Sequence, residues 1–258
     1  MNKQYIIALL LIIVYSMTTV AQDTTALKEH KLNFRTQYFQ IKEGANYGLV
    51  FNGFNLVIGY DYNHREKRKV FNYSPDFAFG PDFRQGIGLN WHFKPVDLFY
   101  GWDIAKNSQN TIYLGPYLSV NYQWQLYPEL QSGHMFWFTF IDFGPKIFAE
   151  FPISNKKMRI IFSNSIAGFA SRPTPATESH FYSLTMSDFV NNAHSNIKFG
   201  TCNLLNHTNL EIIFIEINKK RLSLGYEFEY FVYYENPRLD YMTHSLNMYW
   251  NLGHKKTK

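Results

Sequence analysis

The sequence is short of charge. Asp, Glu, Lys and Arg make up 17% of its 258 residues, where soluble domains carry roughly a quarter. It has a single cysteine, Cys202, so an intrachain disulfide is excluded and the lone thiol reads as a small packing residue. Beyond residue 21 no apolar run reaches about 18 residues, which excludes a later transmembrane helix. The nine histidines are scattered, with no two at i, i+2 or i, i+4 spacing, so neither a metal site nor a cofactor is expected. The net charge of +5 is dispersed apart from Arg65, Lys67, Arg68 and Lys69 and the tail Lys255, Lys256 and Lys258. Such short runs read as a solvated turn and a solvated tail, and nucleic acid is not an expected partner.

What the chain has instead is aromatic side chains, 19% of the total, with 24 Phe and 19 Tyr. That composition favours strands, and the order of the residues agrees. From Leu222 to Tyr234 one parity reads Leu222, Leu224, Tyr226, Phe228, Tyr230, Val232, Tyr234, and the other reads Ser223, Gly225, Glu227, Glu229, Phe231. Met242, Leu246, Met248, Trp250 and Leu252 alternate in the same way with Thr243, Ser245, Asn247, Tyr249 and Asn251. Similar alternation runs through Leu32–Tyr38, Phe54–Tyr62, Ile87–Phe93, Ile112–Gln125 and Met135–Phe151. A period of two with one apolar face must bury that face in a core or in lipid.

The N-terminal 21 residues read as a secretory signal: Lys3, the apolar run Ile6–Tyr15, then Thr19-Val20-Ala21 before a cut that leaves Gln22. Residues 22–258 then form a single β-barrel domain. Residues 22–30 read as an unpaired polar lead-in. Lys94–Asp97 reads as a tight connection, and Val70–Phe83 as a weak strand because of Pro75 and Pro81. Residues 170–196, with Pro173 and Pro175, read as one long loop, functional or mobile at that length. About twelve strands result. Twelve strands put the long loop on the same side as the termini. Merging 197–217 into one bent strand, together with one other pair, gives ten and puts the loop on the opposite side.

Which solvent the apolar parity meets decides the class. Aromatic residues sit toward strand ends on that parity: Tyr60, Tyr62, Trp91, Phe93, Tyr122, Trp124 and Trp250. This is the placement of girdles at bilayer interfaces. The apolar parity is therefore read as facing lipid and the polar parity as facing a lumen, in an all-β, antiparallel up-and-down transmembrane barrel. On these features the chain resembles the outer-membrane β-barrel proteins of Gram-negative bacteria. The resemblance implies outer-membrane lipid as surroundings and the barrel-assembly machinery as a partner during insertion, the closing strand 241–252 being similar to the signal that machinery reads.

The lumen-facing parity carries Arg35, Asp61, Asp142, Lys146, Glu150, Glu227 and Glu229. These could line a selective channel or fill a narrow lumen as paired charges. Filling is favoured, because barrels of eight strands are packed inside and wide channels need about 16, and because Phe136, Phe138, Phe140 and Phe148 share a parity with Asp142. Two outer-membrane barrel families are lipid hydrolases whose strands bear His and Ser two residues apart. Here His194 and Ser195 are adjacent, so on a strand they would point to opposite faces, and no residue is assigned a catalytic role. The expected function is thus a non-enzymatic outer-membrane barrel with a structural, narrow-transport or surface-binding role. A lipid hydrolase of the phospholipase or lipid A deacylase type is the alternative, and a secreted soluble barrel holding an apolar ligand is a third.

Overall fold

In a computed structural model of the chain, residues 26–44, 48–83, 88–105, 110–127, 134–153, 156–172, 191, 193–216 and 222–257 are described. The signal-like segment 1–21 lies outside them. Thirteen strand segments make one antiparallel sheet: β1 Ala26–Glu43, β2 Leu49–Glu66, β3 Lys69–Tyr73, β4 Asp76–Asp82, β5 Gly88–Asp103, β6 Thr111–Tyr127, β7 His134–Ile153, β8 Lys156–Asn164, β9 Ala167–Ser171, β10 Lys198–Thr201, β11 Leu205–Glu216, β12 Leu222–Tyr233 and β13 Leu239–Thr257. The sheet closes on itself because β1 pairs with β2 on one side and with β13 on the other.

The thirteen segments occupy ten positions round the barrel, not twelve. β3 and β4 are both held between β2 and β5, as one strand interrupted at Ser74-Pro75. β8 and β9 both pair with β7. β10 continues β11, pairing with β9 where β11 pairs with β8. The sequence 94–97 is not a connection. It lies inside β5 as a bulge, with the register slipping between Phe93 and Val96. Pro95 has no N–H for a ladder bond, and a bulge is where a strand tolerates that. The slip also exchanges the two faces: Asn90, His92 and Lys94 are buried before it, Phe99 and Gly101 after it.

The ten-strand count places Arg172 and Ile197, which bracket the expected long loop, at the end opposite both termini, while residues 173–190 and 192 of that loop lie outside the described residues. The 22–30 lead-in is also corrected in part, since residue 26 pairs with β13 and residues 27–30 pair on both flanks. β13 likewise runs on past Leu252, to Thr257, through an irregularity opposite His30 and Lys31.

The barrel is apolar outside and polar inside. Leu56 and Leu246 are each 71% exposed, and they flank Thr36 in one outward row. Phe54, Ile58, Leu224 and Phe214 are exposed as well, whereas Asn55, Asn63, Ser119, Asn121, Thr243, Ser245 and Asn247 are buried. In water this arrangement would leave a broad apolar band wet, far beyond the few hundred Å² that soluble monomers expose. In hydrocarbon the order is the favourable one, and closure through β1 and β13 pairs the long strands on both sides, while the short β10 pairs with β9 alone. The chain is a transmembrane β-barrel. The soluble reading needs the reverse parity and fails. Eighteen-residue strands such as β1 and β2, at about 3.3 Å per residue and a tilt of about 45°, exceed the roughly 30 Å hydrocarbon thickness, so the barrel protrudes from the bilayer.

Arginine in place of Leu246 is expected to cost about 2–4 kcal/mol of stability in lipid vesicles, measured by denaturant unfolding, because the side chain would sit on the lipid face far from either rim. A change near zero would mean that this wall does not face hydrocarbon.

Candidate functional site

The lumen is filled in layers. Nearest the termini, Glu150 is the hub. Its two carboxylate oxygens accept from Nη1 and Nη2 of Arg65 at 2.7 Å each, and Arg159 Nε donates to the same group at 2.8 Å. Arg159 also reaches Glu29 at 3.5 Å, which Lys31 contacts at 3.3 Å. Both guanidinium groups lie over the Phe148 ring, 5.1 and 4.7 Å from its centroid. Asp61 accepts from Asn72 at 2.6 Å.

In the middle layer Arg35 bridges Asp76 and Glu227. Lys94 is 3.1 Å from Asp76, and Asn209 donates to Glu227 at 2.6 Å. His207 sits between two carboxylates, with Nδ1 3.0 Å from Asp142 and Nε2 2.9 Å from Glu229, a placement that suits a ring carrying both N–H groups. Tyr117 donates to Asp142 at 2.5 Å, and Lys146 to Asp97 at 3.0 Å. These groups surround a cavity of about 60 Å³, room for a few water molecules only.

Toward the opposite end the polar lining gives way to an aromatic plug. Phe39, Phe51, Phe138, Phe140, Phe231 and Tyr241 are packed together there and fully or almost fully buried. Phe231 stacks on Tyr241 with ring centroids 4.7 Å apart, and Phe138 on Phe231 at 5.3 Å. Arg172 closes this layer, paired with Glu43 and lying over Phe138 and Tyr233.

All seven lumen candidates, Arg35, Asp61, Asp142, Lys146, Glu150, Glu227 and Glu229, are buried on inward-facing positions, and the structure brings them into these two charged layers. Among the described residues, nine buried carboxylates face six buried Lys and Arg. Both signs are interleaved, which makes a cross-linked filling and not the one-signed ring of a selectivity filter.

Other members of the network were not legible as site residues. Asp76 and Lys94 are register partners, but each adjoins a proline that reads as a break. Arg65 belongs to what reads as a charged turn. Arg159 shares a parity with Ser163 on β8, which was the available signal. His207, in an Asn-His-Thr triplet, carried none.

The aromatic candidates fall in two separated outward rows. Tyr60 and Trp250 flank Leu32 near the termini, with Tyr62 two residues from Tyr60. Trp91 and Trp124 form a row with Trp137 toward the other end, where Trp124 and Trp137 are buried in one cluster with Leu126, and Phe93 and Tyr122 lie one row below. His194 is on the outside of the barrel, with Nε2 3.0 Å from the Tyr122 hydroxyl, while Ser195 offers its backbone carbonyl to the Ser171 hydroxyl. Among the described residues no group of three or more His, Cys, Asp and Glu side chains could hold a metal ion.

No protein-family model and no curated protein matches the chain. Solved structures similar in shape include the outer membrane protease OmpT of Escherichia coli, with a TM-score of 0.48, 7% identity, and coverage of 93% of this chain and 99% of that one. The translocator domain of the autotransporter NalP of Neisseria meningitidis gives 0.47 at 5% identity, covering 96% of each chain. The attachment invasion locus protein Ail of Yersinia pestis gives 0.37 at 10% identity, covering 89% and 100%.

Replacing Arg35 with Met leaves Asp76 and Glu227 buried without their shared cation, and is expected to cost about 3–5 kcal/mol. Adding Asp76→Asn and Glu227→Gln should restore more than half of the loss in the same vesicle unfolding assay. An unchanged single variant would mean that the two carboxylates are compensated by other groups.

Proposed function

We propose that the protein is a non-enzymatic, non-conducting barrel of the bacterial outer membrane, acting through its outer wall and its loop-bearing end. The observation that carries this reading is the plug. Six aromatic rings from β1, β2, β7, β12 and β13 occupy the lumen, above charged layers that leave about 60 Å³. A ten-strand barrel is close to the eight-strand size that side chains just fill, so filling requires no separate plug domain. In this reading Arg35, Asp61, Asp142, Lys146, Glu150, Glu227 and Glu229 hold the lumen shut, and a narrow-transport role is disfavoured.

The two aromatic rows serve as interface girdles, Tyr60, Tyr62 and Trp250 at one leaflet and Trp91, Phe93, Tyr122 and Trp124 at the other. The termini end faces the periplasm and the 172–197 loop faces outward, the usual disposition of short turns and long loops. Insertion follows removal of residues 1–21 and uses the barrel-assembly machinery, with outer-membrane lipid as the permanent neighbour. The hydrolase alternative draws little support, since His194 pairs with Tyr122 and Ser195 engages Ser171 through its carbonyl.

Two measurements test the proposal. The detergent-solubilised chain should migrate differently on a gel before and after boiling, as a closed barrel resists the detergent when cold. Reconstituted in planar bilayers, it should give no steady single-channel steps, whereas Phe138→Ala combined with Phe231→Ala should begin to conduct. Stable conductance from the unaltered protein would contradict the proposal.

A further inference from the structure

One region of the outer wall departs from the rule that outward residues meet lipid. Tyr122 on β6, Thr139 on β7 and Ser171 on β9 are successive register partners, so three hydroxyl-bearing residues stand side by side on the outside. The next row toward the termini is wholly apolar: Val120, Ile141, Phe169 and Phe199, the last two with ring centroids 5.0 Å apart. Residues 193–197 come back over this part of the wall. His194 sets its ring against Tyr122, centroids 5.6 Å apart, and the Ser171 hydroxyl donates to the Ser195 carbonyl. A pocket of about 190 Å³ lies here, lined by Tyr122, Thr139, Ile141, Phe169, His194 and Ile197 among others. Thr139 is only 6% exposed, and its Oγ1 has no hydrogen-bond partner among the described residues. A buried hydroxyl left unpaired costs about 1–3 kcal/mol, so this one asks for an acceptor or donor from a ligand.

We propose that the pocket holds the carbonyl-end segment of one acyl chain of a resident membrane lipid, with that segment against Ile141 and Phe169 and the ester carbonyl at the hydroxyl row. Three features select this occupant. The pocket belongs to the wall that already faces hydrocarbon. Its polar edge lies one row inside Trp91, Trp124 and Trp137, so polar and apolar groups follow the order of a lipid from interface to midplane. Among the described residues no Lys or Arg lines it, which suits a neutral ester better than a free carboxylate or a phosphate. The volume exceeds the roughly 150 Å³ of an apolar cavity that takes up benzene.

The inference rests on the membrane reading, and the gel shift on boiling checks that reading separately in every variant. The test is native mass spectrometry of the full chain in detergent, titrated with palmitoyl-oleoyl phosphatidylethanolamine or with palmitate. One phospholipid should remain bound to the unaltered barrel. Thr139→Val, nearly isosteric, should weaken binding by roughly tenfold, the worth of about one hydrogen bond. Ile197→Trp, which fills the pocket, should abolish binding, while Ile166→Trp, on another exposed part of the wall, should not. Equal phospholipid retention by the unaltered chain and Ile197→Trp would overturn the proposal, as would no retained lipid, or palmitate held in place of the phospholipid.

Discussion

Closure of β1 against β13 is the constraint on which the rest depends. A strand crossing hydrocarbon cannot leave its N–H and C=O groups unpaired, at several kcal/mol for each unsatisfied group. The pairing from Ala26 with Thr257 to Glu43 with Leu239 joins the first and last strands along their full length. Irregularities are then tolerated only where they do not open it. The bulge at Pro95 faces the break at Ser74-Pro75, with β2 and β6 continuous on either side of the pair, and the kink between β10 and β11 faces the gap between β8 and β9, with β7 continuous beyond it.

Closure also fixes the chemistry of the interior. With the outer parity given to lipid, every charged residue within the membrane must turn inward, where an unpaired charge is expensive. The lumen answers with cross-strand partners distant in sequence, such as Arg65 with Glu150 and Arg159 with Glu29. The aromatic plug occupies the remaining space at one end. In the proposed non-conducting reading the same side chains that offset the burial of the charges also fill the lumen, which directs attention to the wall and the loop-bearing end.

The parity of the strands was legible in the sequence because the bilayer imposes it residue by residue. Leu224 and Phe228 against Glu227 and Glu229 are enough to orient β12. Strand number was legible only as two alternatives, twelve or ten, of which the structure has ten, because a proline within a strand and a proline at a turn look alike in one dimension. Lys94-Pro95-Val96-Asp97 reads as a reversal, and only the partner strand β6, continuous past it, makes it a bulge. The charged layers were half legible. Inward residues such as Asp142 announce themselves by parity, but their partners do not, since pairing depends on barrel radius and stagger. Phe39 and Ile41, inward and apolar on a polar parity, belong to the plug for the same reason and gave no signal. The hydroxyl row on the outer wall needed the registers of β6, β7 and β9 together, with His194 folded back across them.

The central claim is an inside-out barrel with a filled lumen, and spin-label accessibility along β12 in lipid vesicles tests both halves at once. Nitroxides placed singly at positions 222 to 233 should show oxygen accessibility with a period of two, high at 224, 226 and 228. Positions 225, 227 and 229 should be low both to oxygen and to a water-soluble nickel reagent. High nickel accessibility at 225, 227 and 229 would contradict the filled lumen, and oxygen accessibility peaking at those positions in place of 224, 226 and 228 would contradict the barrel's orientation of its faces.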